Sequence, residues 1–286
     1  MHIEVREVGP RDGLQVEAPI SIEDRATLID GLAAAGLTDI EAVSFVSPAA
    51  VPAMADPDRV MAAIHRHPGV RYWGLVPNVR GAELAVAAGM DALTITVSAC
   101  PVYNQKNIRR RVEESMAAIA DILDVAGLRP VDLILSCVFG SPYTGDEPSQ
   151  TTPELISQAR QMGVGRFTLA DTTGMATPTR VRSMLETVGT DVGLHLHDTR
   201  GTALVNAWEA ISCGVRRFDA ALGGLGGSPF AEGAGGNLAT EDLIHILDDA
   251  DIHTGVDLGA LLALGGSLRE MVGHELSSAV AQVGPR

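Results

Sequence analysis

One pattern runs the length of this chain: a short β-rich stretch, a turn, then an apolar stripe at helical spacing. It recurs eight times. Strands are expected at 2–8, 39–44, 70–76, 92–97, 131–138, 166–170, 191–197 and 217–222. Helices are expected at 22–33, 58–67, 81–88, 111–126, 151–162, 177–188, 202–213 and 240–250, with one or two more in 257–281. Ile22, Ala26, Ile29 and Ala33 step by four, three and four, a helical face that Gly36 terminates. Residues 131–138 are almost continuously apolar, as in a parallel strand buried on both faces. Eight strand–helix units predict an α/β fold, a closed (β/α)8 TIM barrel. The expectation is a single domain over 1–286 with a C-terminal helical extension from about 255. The alternative is an open doubly wound sheet, which uses fewer units and carries a glycine-rich phosphate turn after its first strand. Gly9-Pro10-Arg11-Asp12-Gly13 does not fit that turn.

The 286 residues suit such a barrel, and 46% of them are apolar, with only two Trp, three Tyr and five Phe. This predicts an aliphatic, close-packed interior. A net charge of −15 argues against a nucleic-acid partner, whose phosphates need a basic surface. No apolar run approaches the ~18–20 residues of a membrane span. The start, Met1-His2-Ile3-Glu4-Val5, lacks the basic-then-apolar pattern of an export signal. Three widely spaced cysteines, Cys100, Cys137 and Cys213, fit a reducing cytoplasm and no disulfide framework.

A TIM barrel carries its chemistry where the strands run out at their C-terminal ends. Arg11 and Asp12 follow the first expected strand, Glu41 lies in the second, and Asp171 ends the sixth. His195 and His197 end the seventh, and after the eighth come Asn237 and Glu241. Residues i and i+2 of a strand share a face, so the two imidazoles face one ligand or else simply hydrogen-bond each other. Asp12 adds a hard oxygen and Asn237 a carbonyl oxygen. That mixed set suits Mg²⁺ or Mn²⁺ with positions left open, and two His with a carboxylate also hold Zn²⁺, the less favoured ion. Each has a plainer reading. Asp12 fits an Asp-Gly turn, Asn237 a helix N-cap and Glu241 a first-turn helix residue. Glu41 and Asp171 serve either as partners of Arg11 or as groups that orient a ligand.

Glu7-Val8-Gly9-Pro10-Arg11-Asp12-Gly13-Leu14-Gln15, Glu41-Ala42-Val43-Ser44-Phe45-Val46-Ser47-Pro48, His195-Leu196-His197-Asp198-Thr199 and Gly223-Gly224-Leu225-Gly226-Gly227-Ser228-Pro229-Phe230 together resemble the 3-hydroxy-3-methylglutaryl-CoA lyase family. Those enzymes are TIM-barrel lyases related to isopropylmalate synthase, and the resemblance spans nearly the whole chain. It implies cleavage of a 3-hydroxyacyl-CoA by retro-Claisen chemistry, as in leucine catabolism. It implies Asp12, His195, His197 and Asn237 as ligands of a divalent cation, Arg11 as the enolate's positive partner and Glu41 as its support. Asp171 and Glu241 would be polar neighbours of the metal, and His195 a base for the hydroxyl proton. Asn107 matches the family too, or else caps a helix. An aldolase or condensing enzyme of the same barrel is the alternative reading. Such synthases normally carry extra C-terminal sequence, so an end soon after the expected barrel favours the lyase expectation.

The sequence also departs from the family. Ser228 stands where the family has a catalytic Cys, Ser141 where a second Cys follows Cys137, and Pro101 where an acidic residue is common. Arg200 follows His-Asp-Thr, where small or aromatic residues are usual; it meets an acidic substrate or is a surface charge. A Cys thiol ionises near ~8.5, several units below a Ser hydroxyl, so Ser228 is the weaker proton donor. Lys106, Arg109, Arg110 and Arg111 form the one basic cluster, expected at a helix start, where Arg109 and Arg110 would contact CoA phosphates or be solvated. The leucine-rich C-terminal helix, with Leu261, Leu262, Leu264, Leu268, Met271 and Val272, is expected either to cover the barrel bottom or to make the contact of a homodimer or higher homo-oligomer.

Overall fold

Strands β1 (Glu4–Glu7), β2 (Asp39–Ser44), β3 (Arg71–Leu75), β4 (Ala92–Ser98), β5 (Val131–Ser136), β6 (Arg166–Asp171), β7 (Gly193–Leu196) and β8 (Arg217–Ala220) pair in chain order. All pairs are parallel, and β8 returns to β1 with Arg6 opposite Asp219, which closes the barrel. The computed structural model describes residues 1–146, 149–227 and 235–284. Outside the strands lie α1 (Ile22–Ala34), α2 (Pro57–Ala63), α3 (Val79–Ala87), α4 (Pro101–Ile108), α5 (Val112–Ala126), α6 (Thr151–Gln161), α7 (Pro178–Val188), α8 (Ala203–Cys213), α9 (Thr240–Asp249), α10 (Leu258–Val272) and α11 (Ala279–Val283). The open-sheet alternative is excluded.

Local chemistry sets the element ends. The Ser21 hydroxyl accepts from Asp24 N at 3.0 Å to cap α1, and Asn78 Oδ1 accepts from Gly81 N at 2.9 Å to cap α3. Thr177 caps α7, with Pro178 at its first position. β5 stops sooner than its apolar run suggests, because Cys137 takes a left-handed φ of 60° that a strand cannot continue.

The aliphatic interior is not at the barrel's centre. Val5, Ile40, Leu133, Leu169, Leu194 and Phe218 are buried in the layer between sheet and helices. Side chains alternate along each strand, so the intervening residues point inward. There they form a charged lattice. Arg6, 1% exposed, donates through Nε and Nη2 to Asp219 at 2.8 and 2.9 Å and through Nη1 to Asp132 at 2.9 Å. Thr168 Oγ1 donates to the same Asp132 at 2.8 Å. The guanidinium groups of Arg6, Arg71 and Arg166 lie 5.0, 5.7 and 5.1 Å from the centre of the Trp73 ring. Buried charges persist only when paired, and here pairing across four strands replaces the usual branched aliphatic plug.

Two expectations need correction. Residues 101–108 form α4, which the sequence hides because Pro-Val-Tyr-Asn-Gln-Lys-Asn-Ile lacks an apolar stripe. The basic cluster therefore sits at the α4–α5 junction and not simply at a helix start: Lys106 is in the last turn of α4, where its charge suits the helix dipole, and Arg111 is the N-cap of α5. The leucine-rich helix α10 does not cover the barrel bottom. It packs along the barrel wall against α1 and α9, with Leu261 and Leu268 fully buried. A Cβ on Gly31 of α1 would meet the end of the Leu264 side chain at 2.7 Å, so a larger residue there would have to turn that leucine aside.

Candidate active site

The turn after β1 is a single wide helical turn over Gly9–Gly13. The Val8 carbonyl accepts from the N–H groups of Arg11, Asp12 and Gly13 at 3.1, 2.7 and 3.2 Å. Buried Glu7 accepts from Gly9 N and Leu222 N, both at 2.8 Å, and ties this turn to the end of β8. The turn aims Arg11 and Asp12 into the mouth, where they are both 6% exposed. Arg11 Nη1 donates to Asp12 Oδ1 at 2.5 Å and Nε to Glu41 Oε2 at 2.5 Å, with Nη2 against the same carboxylate. Glu41 also accepts from Thr94 Oγ1. Burial alone would raise the Asp12 carboxyl. Arg11 and then His195 outweigh that and hold it below the ordinary carboxylate range.

β7 delivers the histidines. Residues 236–238 lie against its end: Asp198 N donates to Gly236 O and Leu238 N to Leu196 O, both at 2.8 Å. This brings Asn237 opposite His197. Asn237 Nδ2 donates to Asp12 Oδ2 at 2.9 Å and to Leu225 O at 2.8 Å. Ligand atoms of Asp12, His195 and His197 all lie within 4.8 Å of one another, and the three residues are buried.

The partners of the imidazoles fix their tautomers. His195 Nδ1 lies 3.1 Å from Asp219 Oδ2, and His197 Nδ1 lies 3.0 Å from the Gly235 carbonyl. A carboxylate and a carbonyl only accept, so both Nδ1 atoms carry hydrogen. The two Nε2 atoms are then bare in the neutral rings, yet they face each other at 3.1 Å. Two lone pairs at that distance repel unless a cation or a proton lies between them. Burial and then His195 push His197 down to about 4. Burial also opposes the charge of His195, but the hydrogen bond to Asp219 and the nearby Asp12 reverse this and raise it. Burial would raise Asp219 itself, and Arg6 and then His195 hold it well below the usual carboxylate range. Among the described residues no donor reaches the buried Asn237 Oδ1. Two imidazole nitrogens, a carboxylate and an unengaged amide oxygen fit a divalent cation that keeps open positions.

The remaining predicted residues fall in four groups. Glu241 accepts from Gly223 N at 2.9 and 3.0 Å and is raised by burial to about 8; it braces the turn after β8. Asp171 accepts from Met175 N at 2.7 Å and Ala176 N at 3.0 Å, and burial raises it to about 6. Arg200 donates to Thr173 O and Gly174 O at 3.0 and 2.7 Å, so it fastens the β6–α7 turn. Asn107 is half-buried in the last turn of α4, Arg109 is exposed with a left-handed φ of 55°, and Arg110 is half-buried beside it. Ser228 lies outside the described residues.

Sequence reasoning missed Asp219 and Arg6, the pair behind His195. Asn104 was missed too. It is 1% exposed, accepts from Ser98 N at 2.9 Å and donates to Arg110 O and Ser115 Oγ at 2.8 and 3.0 Å, which fastens the α4–α5 junction to β4. A polar residue inside an expected strand was the signal for the first two. Asn104 gave none.

The HMGL-like family model matches residues 2–267. The mitochondrial hydroxymethylglutaryl-CoA lyase of Macaca fascicularis is 42% identical over 98% of this chain and 89% of its own length. A Pseudomonas aeruginosa enzyme, 3-hydroxy-3-isohexenylglutaryl-CoA/hydroxymethylglutaryl-CoA lyase, is 39% identical over 96% of this chain and 95% of its own length. An HMG-CoA lyase from Acinetobacter baumannii, solved with coenzyme A and 3-methylmalate, superposes with a TM-score of 0.96 at 39% identity, covering 100% of this chain and 96% of that one. The carboxyl transferase domain of Rhizobium etli pyruvate carboxylase shares the barrel at a TM-score of 0.74 but only 16% identity, over 100% of this chain and 50% of that one, a likeness of fold alone. Matched from its first strand into its last long helix, and nearly end to end by named lyases, this chain belongs to the HMGL-like family and is a carbon–carbon lyase.

Proposed function

We propose that the protein cleaves 3-hydroxy-3-methylglutaryl-CoA, or a close 3-hydroxyacyl-CoA relative, to acetyl-CoA and acetoacetate or the matching keto acid. Mg²⁺ or Mn²⁺ is the cofactor, held by Asp12, His195, His197 and Asn237. The facing Nε2 atoms of His195 and His197, with the Asp12 carboxylate within reach of both, carry this reading. The bound cation supplies Lewis acidity to the tertiary hydroxyl and the free carboxylate of the substrate.

The chain's own residues then divide the work. Arg11 is held by Glu41 and Asp12 with guanidinium hydrogens to spare, and it faces the enolate that develops as the C2–C3 bond breaks. With its Nδ1 proton held by Asp219, His195 has only Nε2 with which it would hold the cation or take the hydroxyl proton, one at a time. In the sequence Ser228 stands where the family has its catalytic Cys, and it would serve as the enolate's proton donor. Lys106, Arg109 and Arg110 offer phosphate contacts for coenzyme A, with Asn107 beside them. The Lys106 ammonium lies 5.0 Å from the Tyr143 ring centre, and that ring offers a stacking face to the nucleotide. No helix among the described residues is long and apolar enough to cross a membrane. A cytoplasmic site of action, a role in leucine breakdown and a homo-oligomeric state complete the proposal.

The test is acetoacetate release from 3-hydroxy-3-methylglutaryl-CoA with Mg²⁺ or Mn²⁺, comparing the wild type with Ser228→Cys. Slow wild-type turnover and a large gain on Ser228→Cys support the assignment. No turnover in either form, with metal bound, redirects the same barrel chemistry to another substrate. Failure to bind any divalent cation overturns the site.

A further inference from the structure

Residues 274–278 run from the end of α10 across the seam where β8 meets β1, beyond the span that the family model matches. They seat on the turn that follows β8. The Gly223 carbonyl accepts from Ser277 N at 2.9 Å, Ser278 N at 3.2 Å and Ser277 Oγ at 3.2 Å. The Gly224 carbonyl takes Ser277 Oγ as well, at 3.3 Å. From the other side Glu241 holds Gly223 N. Both glycines have left-handed φ, 69° and 68°. A Cβ on Gly223 would meet Leu276 at 2.6 Å, and one on Gly224 would meet Ser277 Oγ at 2.6 Å. The turn is therefore gripped on both faces and too close to the strap to accept a side chain.

What that turn presents next is the Leu225 carbonyl. It accepts from Asn237 Nδ2 at 2.8 Å and from Asn237 N at 3.3 Å, so it decides how the Asn237 amide is rotated. The strap's near end reaches the opposite side of the seam. His274 Nε2 donates to Glu17 Oε2 at 2.9 Å, just beyond the short helical turn whose Gln15 donates to Asp12 Oδ1 at 2.8 Å. Its far end is fixed separately. Ser278 Oγ, Ala279 N and Val280 N all donate to Asp242, at 2.8, 3.0 and 2.9 Å.

We propose that Ser277 is a positioning residue of the metal centre: through Gly223 and Gly224 it fixes the Leu225 carbonyl that orients the Asn237 amide. The inference rests on Asp12, His195, His197 and Asn237 being that centre. Asn237 is fourteen residues past Gly223 and forty before Ser277, so the contact is legible only in the folded chain.

The test uses full-length Ser277→Pro, which removes the N–H and hydroxyl donors together, Ser277→Ala, which removes the hydroxyl alone, and Ser278→Ala as a control. Ser278→Ala strips the α11 cap but leaves the Gly223 contact, which Ser278 makes through its backbone. The readouts are Mn²⁺ affinity from the free-ion EPR signal, amide hydrogen exchange at Leu225 and Asn237 without metal, and the melting temperature. Removing support behind a ligand costs about tenfold or more in affinity. Ser277→Pro is expected to weaken Mn²⁺ binding by about that factor and to speed exchange at Asn237. Ser277→Ala falls between it and the wild type. Ser278→Ala lowers the melting temperature with Mn²⁺ affinity unchanged. Wild-type affinity in Ser277→Pro, whatever its melting temperature, overturns the proposal; so does equal weakening in Ser278→Ala. A wild type that binds no Mn²⁺ removes the metal centre itself, and that failure is visible before any variant is compared.

Discussion

Replacing Asp219 by Asn separates what a buried carboxylate does for the fold from what it does for the site. In the wild type Asp219 Oδ1 takes Arg6 Nε at 2.8 Å, while Oδ2 takes Arg6 Nη2 at 2.9 Å and His195 Nδ1 at 3.1 Å. An Asn side chain keeps its oxygen on Arg6 and sets an NH₂ where Oδ2 stood. Donor then meets donor at both Arg6 Nη2 and His195 Nδ1. The imidazole relieves this by moving its proton to Nε2, the atom aimed at His197 and Asp12. Loss of a group that orients a metal-bound His costs about 10–100-fold in affinity, which is about 1.4–2.8 kcal/mol at 1.4 kcal/mol per decade. Stability falls as well. Breaking a buried ion pair from one side costs about 3–5 kcal/mol, and the lower figure applies because Arg6 keeps Asp132 at 2.9 Å. For a chain of this size that loss corresponds to a drop in melting temperature of about 5 °C. Mn²⁺ titration well below the transition, alongside calorimetry of the metal-free protein, reads the two effects independently. A lowered melting temperature with unchanged Mn²⁺ affinity would refute the tautomer argument and leave Asp219 as a partner of Arg6 alone.

Neutralising Arg109 and Arg110 together to Ala should raise KM for a CoA thioester several-fold and leave Mn²⁺ affinity unchanged; steady-state kinetics at fixed metal decide it. Glu241→Gln should alter how stability depends on pH. Burial raises the folded Glu241 to about 8, above the ordinary carboxylate value, so the native state holds its proton more tightly than the unfolded chain does. Its stabilising contribution is complete below pH 4.5 and is lost as pH rises towards 8. Denaturant titrations should show the wild type losing stability relative to Glu241→Gln across that window, and parallel profiles would remove the assignment.

The fold was legible because the apolar pattern changes period at each unit, from two along the strands to roughly 3.6 along the helices. The histidines were legible for a similar reason: an i, i+2 pair at a strand end has one geometry. Arg6 and Asp219 were not, because their partnership spans 213 positions and a charged residue in a strand does not name its partner. Only barrel closure makes them neighbours. The aliphatic interior is there, but its place between sheet and helices was not legible, since composition counts apolar residues without saying on which side of the sheet they lie. α4 escaped because its Pro101 start, Asn104 anchor and polar last turn depend on contacts with β4 and α5 and not on any stripe of its own.

The seam between β8 and β1 has a consequence for how the chain assembles. Asp12 leaves the ribosome early, and Asn237, which it meets at 2.9 Å, follows 225 residues later. No partial barrel can hold both, so the two meet only once the chain beyond the last strand has folded onto the first. A cation held by the proposed centre would link the two ends of the sheet. By mass action it adds about 2.7 kcal/mol at a hundredfold excess over its dissociation constant. If the proposed centre holds its cation, metal supply would bear on the stability of the finished barrel as well as on cleavage.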